Sequence, residues 1–580
     1  MRGLSSVAPG PGGGDNGRTP MRDPADRIAG PLQNGRAALN RGAWDEARQA
    51  FEAVCETSET PEALEGLGWA LFWLDRTEEA LEIRERAFRR YREAGDGRAA
   101  ARLAYGLAVD CIDLRGEAPA SGWLERARRL LEGIEPGPEH GWLALWEGHF
   151  ALMYRRDTVA ARERGKVALG IGREQGLLDL EMLALALEGL ILVAEGEVEA
   201  GMRRLDEATA AALAGEMAAL DAVGATCCFL VHACERVRDY DRAAQWGERV
   251  DRFAREWGIA PSLTVCRTQH AAMLIGQGEW VRAEEELQQA IERLSASRPL
   301  LVVDGVEQLA ELRRRQGRWD EAEELFARVE SRSLSLLGRG AIAHDRGEAA
   351  TAADYLERFL RRTPPDNWNG RASALELLVR SRLALGQREE AETAASHLRG
   401  LLGRVDTPTI RATTRQVEGI LLGVDGACEE ARRCLEDAVD LFLQSQAPFE
   451  AARARLDLAR CLAGIDRPGP ARQEARSALE CFQKLGAARE AFRAEESLKQ
   501  LAGDAPAAAA PTTPPTDHPL TSRELQVLRL VAQGLGDKEI ADRLNLSGHT
   551  VHRHISNIRT KLGLPSRSAA VAWAAQKGLL

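Results

Sequence analysis

From about residue 31 to about residue 500, apolar positions recur with a helical period that a turn interrupts at regular intervals. The clearest unit is Gln316–Val329, Q-G-R-W-D-E-A-E-E-L-F-A-R-V, with a turn residue, an aromatic, an acidic start, a small Ala, then apolar residues on one face. The same grammar recurs at 42–54, 76–87, 196–208, 239–246, 278–291, 347–359, 386–398, 426–438 and 469–478. Taking the small residue as anchor gives Ala47, Ala80, Ala127, Ala160, Gly201, Ala243, Ala283, Ala322, Ala352, Ala391, Ala431 and Ala471. Eleven intervals over 471 − 47 = 424 residues average about 38.5, a helical-hairpin solenoid period. Twelve positions before most anchors lies a second small residue (Gly35, Gly68, Gly148, Gly189, Ala271, Ala310, Gly340, Gly419). Small side chains at both places let two helices approach closely, so each unit is a helix pair stacked on its neighbours in an all-α fold.

At Leu520 the grammar changes. Thr521-Ser522-Arg523-Glu524 reads as a capping box, followed by a helix with Leu525, Leu528 and Ala532 on one face and a stop at Gly534. A short helix, Asp537 to Leu544, presents Ile540, Ala541 and Leu544 inward, and Asn545–Gly548 forms a turn. The stretch Ser547–Leu562 then reads as a helix of about 22 Å, with Ser547 as cap and Gly563 leaving it in a left-handed conformation. Val551, Ile555, Ile558 and Leu562 fall on one stripe; His549, His552, Arg553, Ser556 and Thr560 fan out opposite. A fourth helix runs from Arg567 to Lys577. An ordinary amphipathic surface helix is the competing reading of Ser547–Leu562. The short helix and tight turn before it are the helix-turn-helix arrangement instead.

Composition sharpens this division. The net charge is −11, yet residues 520–580 carry nine Lys/Arg against four Asp/Glu, which leaves −16 for residues 1–519. A nucleic-acid footprint is thereby confined to the C-terminal end. Residues 1–30, Gly/Pro-rich over the first twenty, are expected to be disordered, and Met21 is an alternative start. Residues 503–519 are Pro/Ala/Thr-rich and read as a tether between a repeat domain, 31–502, and a terminal domain, 520–580. The ten cysteines are dispersed, without Cys-x-x-Cys or Cys/His metal spacing, and buried free thiols in a reducing cytoplasm are expected. His149, His232, His270 and His344, each isolated on a helix, read as core or surface histidines. Neither a membrane-length apolar run nor a phosphate-loop motif occurs, so no cofactor and no enzymatic centre are expected.

The repeats resemble tetratricopeptide repeats, with Trp44/Trp319 at the turn and Phe51/Phe326 at the packing position as the best matches. That resemblance implies a concave face on which Trp69 and Trp73 sit where ligand-facing residues lie; packing is the competing reading. The C-terminal motifs L-T-x-R-E-x-x-V-L, K-E-I-A-x-x-L, S-x-x-T-V-x-x-H-x-x-x-I-x-x-K-L-G and R-x-x-A-V resemble the DNA-binding domain of LuxR-type transcriptional regulators. The order of repeats then module resembles the C-terminal half of the large ATP-binding members, without their nucleotide-binding motif.

The resemblance implies a four-helix domain that binds double-stranded promoter DNA as a homodimer. It puts base readout at His552, Arg553 and Ser556, joined by His549 on the same fan, and phosphate contacts at Thr550, Lys538, Arg559, Lys561 and Thr560. It puts the dimer contact at Val571, Ala574 and Ala575, which the sequence equally allows as core. The family usually has Lys at 552 and often a basic residue at 556, so a different target sequence is expected. The expected function is a cytoplasmic transcriptional regulator whose repeats receive a protein, peptide or small-molecule signal, with RNA polymerase a further partner. The alternatives are a helical-repeat scaffold or co-chaperone and, lower, a degenerate ATPase-type signalling enzyme.

Overall fold

The computed structural model describes residues 24–259, 264–330, 332–503, 520, 522–544, 551, 554–555, 558–559, 561–564 and 566–579. Among them there is no β-strand, and twenty-five α-helices follow one another from Pro24 to Gly503. The first twenty-four pair into twelve hairpins, and Ala488–Gly503 closes the series. The disorder expected over residues 1–30 is corrected for 24–30, which open the helix Pro24–Asn40, while residues 1–23 with the Met21 start, and the tether after residue 503, lie outside the described residues.

The hairpin turns need a left-handed residue, which glycine adopts without a Cβ clash. Gly317 (φ +83°) and Gly278 (φ +84°) supply it. Asp75, Arg156, Arg238 and Asp466 take φ of 55° to 60° where no glycine is available.

The anchor is the fourth residue of every second helix, which corrects two positions. Ala120 is the anchor of Glu117–Leu131 and Ala161 that of Thr158–Glu174, in place of Ala127 and Ala160. Ala120 and Ala161 are completely buried; Ala127 is also buried, two turns on, and Ala160 is half-buried. Smallness is required where helices meet. A Cβ on Gly189 would lie 2.8 Å from the Gly201 carbonyl oxygen, and one on Gly201 would lie 2.6 Å from that of Gly189. Phe51, Phe326, Phe359, Phe442 and Phe482 fill the spaces between helices and are fully buried. Each contributes about 1.5–3 kcal/mol of hydrophobic burial.

Two compact units result, Met1–Ile134 with Trp257–Ser262, and Glu135–Glu256 with Leu263–Leu580. In the first, Phe51 packs on Gly35 and Gly66, where a Cβ would meet its ring at 2.8 and 2.3 Å. In the second, the coil of hairpins is tied across long sequence separations. Arg236 donates to the Asp366 carbonyl at 2.8 Å, Arg315 to Glu450 at 3.0 Å and Arg380 to Asp457 at 2.6 Å.

One expectation about cysteine is corrected. Cys228 and Cys266 form a disulfide, with Cα atoms 5.6 Å apart, while the other eight are free thiols. They stand 38 residues apart, one repeat period, on the first helices of successive hairpins. Adjacent Cys227 points elsewhere on the helix and stays free and buried.

Candidate nucleic-acid interface

The C-terminal module builds its core wholly from its own residues: Leu520, Val527, Leu528, Val531, Ile540, Ala541, Val551, Ile555, Ile558, Ala570 and Ala574. The Ser522–Ala532 helix buries Val527, Leu528 and Val531. The expected face differs, since Leu525 is half-buried and Ala532 exposed. The helix ends at Gly534, φ +85°. The Asp537–Leu544 helix opens with the Gly536 N–H donating to the Glu539 carboxylate at 2.7 Å, and it buries Ile540 and Ala541 as expected.

The apolar stripe of the following helical stretch is in place. Val551 is 0% exposed, Ile555 8% and Ile558 1%, with Leu562 packed on the same core. Gly563 leaves at φ +64°, and the Leu564 N–H bonds the Arg559 carbonyl at 2.9 Å, closing the helix end. His554 is half-buried beside the stripe. Arg559 and Lys538 are exposed. His549, Thr550, His552, Arg553, Ser556 and Thr560 lie outside the described residues.

Lys561 has a different occupation from the one expected. Its Nζ donates to Glu524 at 2.8 Å, and the Glu524 side chain is only 4% exposed. This pair ties the first helix of the module to the end of the stretch that carries Val551, Ile555 and Ile558. Arg567 ties the last helix to the second in the same way, by an ion pair with Asp537 and a bond to the Leu535 carbonyl at 2.6 Å. Sequence periodicity reveals neither tie, because each joins residues thirty or more positions apart. Of the three expected dimer residues, Ala574 is completely buried in the core and is removed from the list. Val571 is half-buried and Ala575 exposed on Arg567–Gln576, which Ser566 caps.

Of the two tryptophans expected on a ligand face, Trp73 is buried and Trp69 half-buried. Trp73 is 7% exposed and stacks on Trp44 at 5.3 Å, with Trp69 at 6.5 Å on its other flank. The Arg84 guanidinium lies 4.2 Å over Trp69 and pairs with Asp110. A cation on an aromatic face, itself ion-paired and buried, is a packing device.

In the second unit, three helices bring polar groups together that sequence reasoning left isolated. His149 stacks on Phe229 at 5.0 Å. His232 Nδ1 and Gln269 Nε2 are 3.0 Å apart, one turn from the disulfide. His149 Nδ1, His232 Nε2 and Arg236 Nε are covered without a hydrogen-bond partner. Burial pushes the His149 imidazole down to about 4, and burial together with the Arg236 charge pushes His232 down to about 3. Among the described residues no group of His, Cys, Asp and Glu is placed to hold a metal ion, and no helix is long and apolar enough to cross a membrane.

Residues 518–574 match the family described as bacterial regulatory proteins, luxR family. The chain is 25% identical over 400 residues to HTH-type transcriptional regulator MalT of Vibrio parahaemolyticus serotype O3:K6, covering 58% of this chain and 43% of that protein. It is 49% identical over 61 residues to oxygen regulatory protein NreC of Staphylococcus aureus strain JH9, covering 10% of this chain and 28% of that protein. The chain thus spans less than half the length of these curated relatives. Among solved structures, it overlaps the APC/C hetero-tetramer Cut9-Hcn1 with TM-score 0.42, 13% identity and coverage of 82% of this chain and 98% of that one. It overlaps the apo form of the quorum sensor NprR from B. thuringiensis with TM-score 0.35, 11% identity and coverage of 65% and 97%. With its buried stripe, closing glycine and self-contained core, the segment 518–574 belongs to the bacterial regulatory proteins of the luxR family, carried behind an all-α array of helical hairpins.

Proposed function

We propose that the protein is a DNA-binding transcriptional regulator in which Ser547–Leu562 enters the major groove of a promoter. The observation that carries this reading is the burial of Val551, Ile555 and Ile558 against the module core. With those three committed inward, a helical period turns His549, His552, Arg553 and Ser556 toward the groove. Arg553 grips guanine O6 and N7 bidentately; His552 and Ser556 accept from or donate to base edges. Thr550, Lys538, Arg559 and Thr560 take phosphates, while Lys561 holds the stretch in place through Glu524. Dimerisation on DNA uses Val571 and Ala575.

The repeat array receives the signal. What supports this role is spare bonding capacity in its second unit, where His149 Nδ1, His232 Nε2 and Arg236 Nε have no protein partner. A protein, peptide or small molecule with hydrogen-bonding groups fits that chemistry.

The test is selection of bound fragments from genomic DNA by the purified chain, followed by footprinting. The proposal expects a pair of protected half-sites whose protection disappears in Arg553→Ala. Indiscriminate recovery of fragments, unchanged by that substitution, refutes the groove assignment and leaves the scaffold reading.

A further inference from the structure

Cys228 and Cys266 form the one disulfide among the described residues, at a joint between successive hairpins. At four positions past the anchor, seven second helices carry a buried Leu or Phe, while Gly165, Gly247, Ala395 and Ala475 stand there in four others. The helix Tyr240–Glu256 has Gly247 there, and a Cβ at that site would meet nothing nearer than His270 Nε2 at 3.9 Å. The outer helix of this hairpin grips its neighbour through Tyr240, whose buried ring packs on Gly276. The two first helices, Leu220–Val237 and Thr264–Gln277, are also joined directly. The disulfide ties them at one level, and His232 meets Gln269 one turn on. A further turn along, Arg236 reaches Asp366, so one face of Leu220–Val237 carries links to two other parts of the unit.

We propose that Cys228 and Cys266 are a reversible redox-modification site, oxidised by a hydroperoxide and reduced by a dithiol, that bolts these two helices together. Cys228 is half-buried and Cys266 is 8% exposed, so the peroxide reaches Cys228 first. The Cys228 thiolate attacks one peroxide oxygen, giving a sulfenic acid and releasing hydroxide. The Cys266 sulfur then attacks the Cys228 sulfur, the S–O bond breaks and water leaves. In sum, two thiols lose two electrons and two protons while the peroxide is reduced to water. A dithiol reverses the bond by exchange, taking up the disulfide itself. The Cα separation of 5.6 Å lets the bond open and close without backbone movement. Neighbouring Cys227 does not compete, because its side chain is buried and burial pushes its thiol up to about 12. Closing the bolt restricts separation of the two helices; opening it leaves this joint held by His232–Gln269 and by the packing of Tyr240 on Gly276.

The test uses the full chain, reduced with dithiothreitol and then treated with hydrogen peroxide. Peptide mapping after thiol blocking should find a single Cys228–Cys266 bridge, a mass lower by about 2 Da, and full reversal by dithiothreitol. Hydrogen exchange over residues 220–277 should be at least about tenfold slower in the oxidised chain. That difference should vanish in Cys228→Ser and in Cys266→Ser. Failure of the bridge to form, a bridge to Cys227, or equal exchange in the two states of the wild-type chain overturns the proposal, and none of these readouts involves DNA.

Discussion

Lys561→Met separates the two roles open to Lys561, because methionine keeps the aliphatic stem and removes only the ammonium. The Glu524 side chain is 4% exposed and that of Lys561 37%. Removing one partner of a fully buried pair costs about 3–5 kcal/mol, and of a pair in water about 0–1 kcal/mol. This pair stands between, so the substitution should destabilise the module by about 1.5–2.5 kcal/mol. In a domain of this size that lowers the melting temperature by roughly 10 °C. The assay is thermal unfolding of residues 515–580 followed by circular dichroism, justified by a core drawn only from residues 520–574. Adding Glu524→Gln should recover part of the loss, since a neutral amide needs no counter-charge. An unchanged melting temperature, together with a salt dependence of DNA binding shallower by about one ion, would make Lys561 a phosphate contact and refute the positioning role.

Glycine packing gives a prediction of opposite signs. Gly→Ala inside a helix gains up to about 1 kcal/mol in propensity, so Gly170→Ala, whose Cβ would meet nothing within 4 Å, should stabilise the array. At Gly201 the Cβ would lie 2.6 Å from the Gly189 carbonyl oxygen and 2.9 Å from the Val193 nitrogen. There, overpacking of about 1–3 kcal/mol outweighs propensity, and urea unfolding should show a lower midpoint; two shifts of the same sign would reject the close-approach argument. Both buried imidazoles titrate far below an unfolded histidine, so the unfolded chain binds more protons and stability falls as pH drops from about 6.5 toward 4. By about pH 5 each costs roughly 1–2 kcal/mol; His149→Phe keeps the stack on Phe229 and should reduce the acid loss of melting temperature. An identical pH profile in the variant would remove His149 as a contributor. Deleting the repeats should alter regulation in cells while the isolated module still binds DNA; loss of binding on deletion contradicts the modular reading.

The period of small residues made the hairpins legible, because a Cβ is excluded wherever two backbones approach as closely as at Gly189 and Gly201. It misplaced the anchor where small residues cluster. Glu117–Leu131 begins E-A-P-A without the usual aromatic, and Ala160 and Ala161 are adjacent, so only packing chooses between neighbours. Spacing also announced the inward stripe of Ser547–Leu562, since Val551, Ile555 and Ile558 must share one side of a helix. It was blind to contacts between distant positions. Lys561 looked like a groove-side cation because Glu524 lies 37 residues earlier, and the Cys228–Cys266 bridge spans a full repeat with no short motif to mark it. Trp69 and Trp73, four residues apart, fit a ligand face and a stacked core equally well; the stack on Trp44 buries Trp73, while Trp69 under Arg84 stays half-buried.

The central claim is that the basic C-terminal module reads DNA through Ser547–Leu562. Its most direct measurement is the affinity of the intact chain for a selected promoter fragment, taken across salt concentrations, for wild type and Arg553→Ala. The account predicts binding that weakens steeply as salt rises, with a log–log slope of several ions, and a loss of about 1–3 kcal/mol with relaxed specificity in the variant. Binding that ignores salt, or that Arg553→Ala leaves unchanged in strength and specificity, would contradict it.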